Sequence, residues 1–329
     1  MRDLVKNVPI PAAGVALGLA ALGNLLQPHA EAAHIACGLL SLVFVALLAA
    51  KIVLFPSIIR DDLKNSILAS VSATLFMTLM QLATYLEPVG HLAAFALWCA
   101  AVAGHLALMV WFTVRFIAHF KLREVFPTYF ICYVGIIVAS VTCAPFGMQA
   151  AGQALFWFGL ACYLVLLVVV TVRYARHEIP EAARPLFCIY TAPMSLSLAG
   201  YLTCMPQPNA AFVAVLLVAA QALLVVVLAR LPLFMRLRFY PSFAAMTFPF
   251  VITATALGKA LAFFRSEGVA LPAALDWLLA AETLLACTMV AFVVVHYLRF
   301  FARSLANPDD VSVRREGKLA SLIARGLRP

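Results

Sequence analysis

The chain has 329 residues, of which 65% are hydrophobic and only 11% are charged. A soluble protein of this length exposes far more charge to water, so the composition excludes a soluble globular domain and predicts a membrane protein. The formal net charge of +9 is explained by attraction of basic loops to anionic lipid head groups, and it does not require a nucleic acid as partner.

Apolar runs between turn signals give ten predicted transmembrane segments, because a hydrocarbon core about 30 Å thick needs roughly 20 apolar residues per crossing. In chain order, segments one to ten are 9–26, 34–55, 66–86, 91–116, 126–145, 150–172, 185–205, 210–231, 241–264 and 272–301. Short loops join each odd segment to the next even one, so each pair is predicted to be a helical hairpin. The predicted fold class is an all-α membrane protein of five hairpins.

The basic residues test this count of segments. All but two of the 23 Lys and Arg residues fall on one side, and only Lys259 and Arg265 fall on the other. Cytoplasmic loops collect Lys and Arg, so the pattern predicts a multi-pass protein of the bacterial inner membrane with both termini in the cytoplasm. Residues 1–304 form the predicted ten-helix channel domain, and residues 305–329 form a basic cytoplasmic tail.

The odd segments repeat a pattern of proline and glycine. One set lies near the segment starts, and a second lies seven or eight positions further on: Pro11, Pro127, Pro185 and Pro241, then Gly18, Gly135, Pro193 and Pro249. A proline inside a helix removes a backbone hydrogen bond and bends the helix, so segments seven and nine are predicted to kink. Five parallel repeats predict a pseudo-fivefold axis along the membrane normal, with a pore on that axis.

Odd and even segments also differ in surface. The odd segments are rich in small and hydroxylated residues, including Thr74 and Thr247, whereas the even segments are bulky and aliphatic. This difference predicts an inner ring of odd helices within an outer ring of even ones. No ionisable residue lies at mid-membrane depth in an odd segment, so the predicted lumen is uncharged and passes weakly hydrated anions most readily.

Four ionisable residues leave alternatives open. Lys259 and Arg265 either concentrate anions at the outer mouth or only extend to the lipid head groups. Glu282 and His105, in even segments, either form a proton relay or are neutral side chains bonded to neighbouring helices. The eight cysteines show no CxxC pair, so no metal site or cofactor is predicted, and no nucleophile triad or phosphate loop indicates an enzyme.

The sharpest local feature is the run Thr247, Phe248 and Pro249 in segment nine. A large apolar ring beside a kink on the pore side would occlude a narrow lumen without binding the ion. From the residues alone, Phe248 is either such a gate or a core phenylalanine.

Three stretches resemble the bacterial TehA proteins and the plant slow-type anion channels, also called the tellurite-resistance and dicarboxylate transporter (TDT) family. They are GVALGLAALGN, RPLFCIYTAPMSLSLAGYL and FYPSFAAMTFPFVITATAL, and the resemblance spans residues 8 to 303. It implies a ten-helix pore, a homotrimer with one pore per subunit, and Phe248 as the pore plug. Cys132 and Ala73 stand where relatives often have proline, which leaves kinks in segments three and five open.

The resemblance implies a gated channel for small monovalent anions. The alternative is a secondary transporter that exports tellurite or C4-dicarboxylates such as malate, as the family's other name implies. The partners predicted in either case are small inorganic or organic anions and membrane lipid.

Overall fold

The structure is a computed structural model that describes residues 2–306, and these contain helices and loops but no strand. Beyond the first two residues of the predicted tail, that tail lies outside the described residues. The first half of the chain forms α1 (Arg2–Asn7), α2 (Ala12–Leu26), α3 (Glu31–Leu54), α4 (Pro56–Asp62), α5 (Ser66–Val71), α6 (Ala73–Leu86), α7 (His91–Phe112), α8 (Thr128–Tyr133) and α9 (Ile137–Thr142). A π-helical turn, Thr113–Ile117, extends α7.

The second half forms α10 (Gln149–Arg176), α11 (Ala192–Cys204), α12 (Ala210–Leu228), α13 (Leu231–Met235), α14 (Phe248–Ser266) and α15 (Ala274–Ala306). Short 3₁₀ helices lie at Leu122–Glu124 and Ala144–Phe146. Two more, Glu181–Thr191 and Pro241–Met246, lead directly into α11 and α14. Segments seven and nine therefore change helix type near Pro193 and Pro249, and the kinks predicted there stay a prediction.

Eight helical stretches of the described residues are long and apolar enough to cross a membrane, which confirms a helical multi-pass membrane protein. They correspond to segments two, three, four, six, seven, eight, nine and ten. Segment one is the shorter helix α2, with 15 residues, and segment five is divided into α8 and α9. The count of ten crossings therefore stays a prediction.

Segment five is interrupted at Gly135 without a proline. The Phe130 carbonyl accepts hydrogen bonds from both Val134 N, at 2.7 Å, and Gly135 N, at 3.0 Å, so the regular helical ladder stops there. A Cβ at Gly135 would lie 2.2 Å from the Ile131 carbonyl oxygen, so only glycine fits. Segment five, whose kink the sequence left open, is therefore interrupted at Gly135, and the kink itself stays a prediction.

Segment three is interrupted at Ser72, between α5 and α6. The Ser72 hydroxyl donates back to the carbonyls of Leu68, at 3.0 Å, and Ala69, at 2.8 Å. Such bonds from a hydroxyl to the preceding turn bend helices. Segment three has no proline, and the Ser72 hydroxyl bonds lie where its helix is interrupted.

The odd segments pack as a closed ring. α2 packs against α6, α6 against α9, α9 against α11 and α11 against α14, and α14 packs back against α2. We call these five odd segments the inner segments; they include α5, α8 and the 3₁₀ helices that precede α11 and α14. We call α3, α7, α10, α12 and α15 the outer helices. Between 67% and 78% of each long inner stretch is buried, against 22% to 33% of each outer helix. The inner and outer rings of the sequence prediction therefore match the burial.

The two ends of the described chain meet on one face. Asn7 Nδ2 donates to Ser304 Oγ at 2.7 Å, although 297 positions separate the two residues. On the same face, the buried Lys51 of α3 donates to the Val8 carbonyl at 2.7 Å and pairs with Asp62 at 3.3 Å. The two ends of the described chain, residues 2–306, therefore lie on the same face, which agrees with an even number of crossings.

Candidate functional site: a cavity inside the ring

The ring encloses a cavity of about 80 Å³ to which all five inner segments contribute. Its lining residues are Pro11, Gly14, Leu17, Ile67, Leu68, Val71, Thr74, Met77, Phe130, Ile131, Val134, Gly135, Ala182, Ala183, Leu186, Ile189, Ala192, Pro193, Leu196, Ser242, Ala244, Ala245, Phe248 and Pro249. Thr74, Gly135, Pro193, Phe248 and Pro249 were singled out in the sequence, and the structure brings them together here.

The lining is apolar and, among the described residues that form it, uncharged. Its two side-chain hydroxyls belong to Thr74 and Ser242, and both donate to the backbone, to the carbonyls of Val71 and Ala182, each at 2.6 Å. An ion in this space meets neither a formal charge nor a hydroxyl hydrogen that is free to bind it.

The cavity occupies only one half of the ring. Its deepest lining residue is Leu17 in α2, Met77 in α6, Leu196 in α11 and Pro249 in α14, and each of these helices continues beyond it. The part of the ring from the segment starts to this level is called here the cavity half, and the remainder is called the closed half. The cavity half lies toward Asn7 and Ser304, on the face to which the sequence pattern assigns most Lys and Arg residues.

Phe248 lies at the boundary of the two halves. It is the first residue of α14, it lines the cavity, and only 5% of it is exposed. The preceding residue, Thr247, is fully buried, with a non-helical backbone at φ −109° and ψ −89°. Its hydroxyl lies 3.0 Å from the Gly14 carbonyl and 2.7 Å from the Ala244 carbonyl. This junction therefore fixes where α14 begins and where the Phe248 ring lies.

Gly18 and Thr247 do not line the cavity but pack behind Phe248. A Cβ at Gly18 would lie 2.5 Å from Thr247 Cβ and 3.1 Å from the Phe248 nitrogen. The glycine thus lets α2 approach the backbone of the junction closely. In the structure, Gly18 allows the first inner segment to contact the last one.

A buried hydroxyl cluster joins α11 to α14, and the sequence analysis missed it. Thr253 Oγ1 lies 3.1 Å from Thr191 Oγ1 and 3.0 Å from Ser195 Oγ, and all three side chains are buried. The hydroxyl-rich composition of the inner segments was the signal, but the pairing across 58 and 62 positions was not visible in it. The cluster fixes α14 to its neighbour near Pro249.

His105 lies outside the ring, on α7. It is fully buried, and its Nε2 lies 2.9 Å from the Cys132 carbonyl at the interruption of segment five. Because the partner is a carbonyl, Nε2 carries the proton, and Nδ1 has no partner among the described residues. This arrangement favours the neutral, hydrogen-bonded alternative over a proton relay.

Glu282 is also buried outside the ring, on α15, with 4% exposed. Gln221 of α12 approaches it, but neither carboxylate oxygen has a partner of ordinary hydrogen-bond geometry in the described part of the chain. α15 packs against α14, whereas the His105 helix packs against α6. The structure does not bring Glu282 and His105 together, and neither lines the cavity.

Lys259 and Arg265 both lie toward the far end of α14, in the closed half. Arg265 Nη2 pairs with Asp276 Oδ1 at 2.5 Å, and both side chains are about half exposed. Lys259 is half-buried and has no carboxylate partner within residues 2–306. The two cations are therefore not equivalent, because the charge of one is compensated and that of the other is not.

A comparison with known families matches residues 7–298 to the SLAC1 family, described as a voltage-dependent anion channel. A search of curated proteins finds no match. The family match includes every residue that lines the cavity, and it confirms the resemblance to slow-type anion channels seen in the sequence.

Proposed function

We propose that this chain, which belongs to the SLAC1 family of voltage-dependent anion channels, is a gated channel for small monovalent anions. The observation that carries the proposal is the cavity: all five inner segments line it, none of its described lining residues is charged, and Phe248 lies at its inner end. An anion enters from the face that carries most Lys and Arg residues, where basic side chains concentrate it. It then sheds part of its water in the apolar cavity, so weakly hydrated anions pass most readily.

In this proposal Phe248 is the gate. A buried aromatic ring at the inner end of the cavity blocks the lumen without binding the ion, and a rotation about its side chain or about the Thr247 junction opens it. Thr247 supports this role because its hydroxyl bonds hold a non-helical junction directly before the ring. Pro249 supports it too, since a proline in the first turn of a helix leaves no backbone N–H without its bond.

We also propose ten crossings in five hairpins around a pseudo-fivefold axis. α2, about 22 Å long, and the interrupted pair α8 and α9 would supply the two crossings beyond the eight long helices. The closed ring of contacts and the meeting of Asn7 with Ser304 support this arrangement. By the bias of basic residues the termini are cytoplasmic, in the bacterial inner membrane. The family resemblance supports a homotrimer with one pore per subunit.

The second candidate is a secondary transporter for tellurite or C4-dicarboxylates, and one observation favours it. Glu282 is a buried carboxyl group without a described hydrogen-bond partner, and such groups inside membranes often carry protons in coupled transport. Replacing Glu282 by Gln tests this candidate: loss of a pH-dependent, saturable flux would favour the transporter. Against it, Glu282 lies outside the ring and does not line the cavity.

The gate proposal is tested by recording anion currents from Phe248→Ala in planar bilayers. We expect the conductance to rise about tenfold or more, since removing a barrier of about 1.4 kcal/mol raises a rate tenfold. The matched control is Phe250→Leu, which changes a ring two positions away on the same helix. Phe250 is buried but does not line the cavity, so the current should not rise.

A correctly inserted Phe248→Ala protein with the current of the unmodified protein would remove Phe248 from the gate. Single-channel steps in the variant support a channel. A saturating flux without steps that follows the proton gradient would instead support the transporter.

A further inference from the structure

We propose that the closed half of the lumen contains a binding site for a small monovalent anion such as chloride or nitrate, formed by Lys259 and Gln81 and held in place by Asn24. The binding site itself is argued from geometry, and its role in conduction rests on the proposed channel function. None of the three side chains lines the cavity below Phe248.

Helical register places Gln81 on the face of α6 that points into the ring. Thr74 and Met77 line the cavity, and Gln81 follows them by seven and by four positions. At about 100° per residue, Gln81 lies between the directions of Thr74 and Met77 around the helix axis. It is therefore the next residue of α6 along the lumen, beyond the cavity.

The same argument holds for the other two residues. Asn24 follows the cavity residue Leu17 by seven positions on α2, so the two directions differ by about 20°. Lys259 follows Phe248 by eleven positions on α14, again about 20° away. α14 packs against α2 and α2 against α6, so the three residues lie on adjacent helices.

Lys259 is directed into the ring rather than out of the membrane. Side chains of a helix lean toward its amino end, so the ammonium group of Lys259 leans back toward Phe248. The side chain is half-buried, and it is near enough to the Cys143 thiol, at the end of segment five, to interact with it electrostatically. Segment five is not a neighbour of α14 in the ring, so this interaction agrees with a Lys259 side chain that extends toward the inside of the ring.

Asn24 fixes the orientation of the Gln81 amide. Asn24 Nδ2 donates to Gln81 Oε1 at 2.7 Å and also lies 3.3 Å from Thr84 Oγ1. Because the Gln81 oxygen accepts from Asn24, the Gln81 nitrogen with its two hydrogens points away from Asn24. That nitrogen has no acceptor among residues 2–306, although only 4% of Gln81 is exposed.

The two groups together make a site for an anion. An ammonium without a carboxylate partner supplies charge, and an amide nitrogen with unused hydrogens supplies directed donors. The Gln81 nitrogen has no acceptor among the described residues yet is not fully enclosed, so it reaches open space from which an anion can approach it. A cation would instead be repelled. In the proposed channel, the site is the position an anion reaches after passing Phe248, so filling it limits the current at high anion concentration.

The site is tested by thermal unfolding of the purified full-length protein in detergent, titrated with sodium chloride or sodium nitrate against sodium gluconate at equal ionic strength. We expect a saturable rise in melting temperature with chloride or nitrate. Lys259→Met and Gln81→Glu should weaken the apparent affinity about tenfold or more, as for loss of a hydrogen bond to a charged group. Lys259→Arg should keep it.

The matched control is Arg265→Met, on the same helix, because Arg265 is exposed and already paired with Asp276. It should leave the titration unchanged. Gln81→Glu has nearly the shape of glutamine, so it tests the site even if Lys259→Met does not fold. An unchanged saturable rise in Lys259→Met or in Gln81→Glu would overturn the site, and so would a rise lost equally in Arg265→Met.

Currents from the Phe248→Ala background separate the two proposals. If that protein carries no anion current while the titration still depends on Lys259 and Gln81, the channel proposal fails and the binding site stands. If the current is present and its dependence on chloride concentration is the same with Lys259→Met or Gln81→Glu, the channel stands and the site fails.

Discussion

The inner segments and the outer helices of this protein differ in how continuous their helical backbone is. The outer helices are long and continuous, with 24 residues in α3, 28 in α10 and 33 in α15. The inner segments are interrupted at Ser72, around Gly135 and at Thr247, and they carry most of the serine and threonine residues of the described helices. Interrupted backbone is tolerated at membrane depth only where protein surrounds it and its free groups are bonded. The outer ring supplies both conditions.

Several outer side chains bond directly to inner backbone. His105 of α7 bonds the Cys132 carbonyl at 2.9 Å, and Ser41 of α3 bonds the Ala16 carbonyl at 2.8 Å. Tyr297 of α15 donates to the Pro241 carbonyl at 2.6 Å, where segment nine begins. The outer helices thus do more than shield the ring from lipid, because they hold its irregular backbone in place.

The largest effect on stability is expected from Gly18→Val, which tests the close contact between α2 and the start of α14. A Cβ at this position meets Thr247 at 2.5 Å, and backbone borders it as well, so the added groups cannot be accommodated without moving α2 from α14. We expect a loss of about 1–3 kcal/mol of stability, as for overpacked cores, measured as a lower melting temperature in detergent. Gly258→Ala is the control, since its Cβ would make ordinary contacts 3.5 Å from Leu279. Equal melting temperatures for Gly18→Val and the unmodified protein would contradict the close contact.

A smaller effect is expected from His105→Leu, which breaks an outer-to-inner hydrogen bond. The Cys132 carbonyl loses its His105 partner while remaining buried, which costs about 1–2 kcal/mol. His105→Gln restores a donor and should recover part of the melting temperature. If His105 were instead a proton relay, both variants would abolish the pH dependence of anion flux at unchanged stability.

The smallest effect is expected on the lipid-facing side of the outer ring. Val168 of α10 is 63% exposed, so Val168→Ala should change stability by less than about 0.5 kcal/mol. Val170, two positions away, is fully buried, and Val170→Ala should cost roughly 1.5 kcal/mol in lost packing. Similar melting temperatures for the two variants would mean that α10 does not face lipid as its burial indicates.

The sequence predicted much of this architecture because several of its signals are local. Apolar runs located the long helices, and the segregation of Lys and Arg predicted that both termini lie on one face. Pro193 and Pro249 predicted where segments seven and nine change. Phe248 could be chosen from 24 phenylalanines only through the family resemblance, because an aromatic ring beside a proline has no property that separates a gate from a core residue.

Other features depend on contacts between distant residues, and these the sequence did not reveal. The interruption of segment five needs no proline, because it combines Gly135 with a histidine from another helix. The bond between Asn24 and Gln81 spans 57 positions, and although Asn24 ends the stretch GVALGLAALGN, nothing in that stretch indicates Gln81 as its partner. Segment one proved shorter than predicted because residues 9–11 form a turn before Ala12.

The ring is closed by its first and last members, since Thr247 bonds to the carbonyl of Gly14 across 233 positions. During biosynthesis this contact can form only after α14 has been inserted. In a nascent chain that has inserted only four inner segments, the ring lacks the helix that lies between α11 and α2. The ring closes only once α14 has entered the membrane, and in the proposed channel Phe248, the first residue of α14, is the gate. If Phe248 is the proposed gate, the helix that completes the lumen also closes it, and a partly inserted chain leaves no open pore.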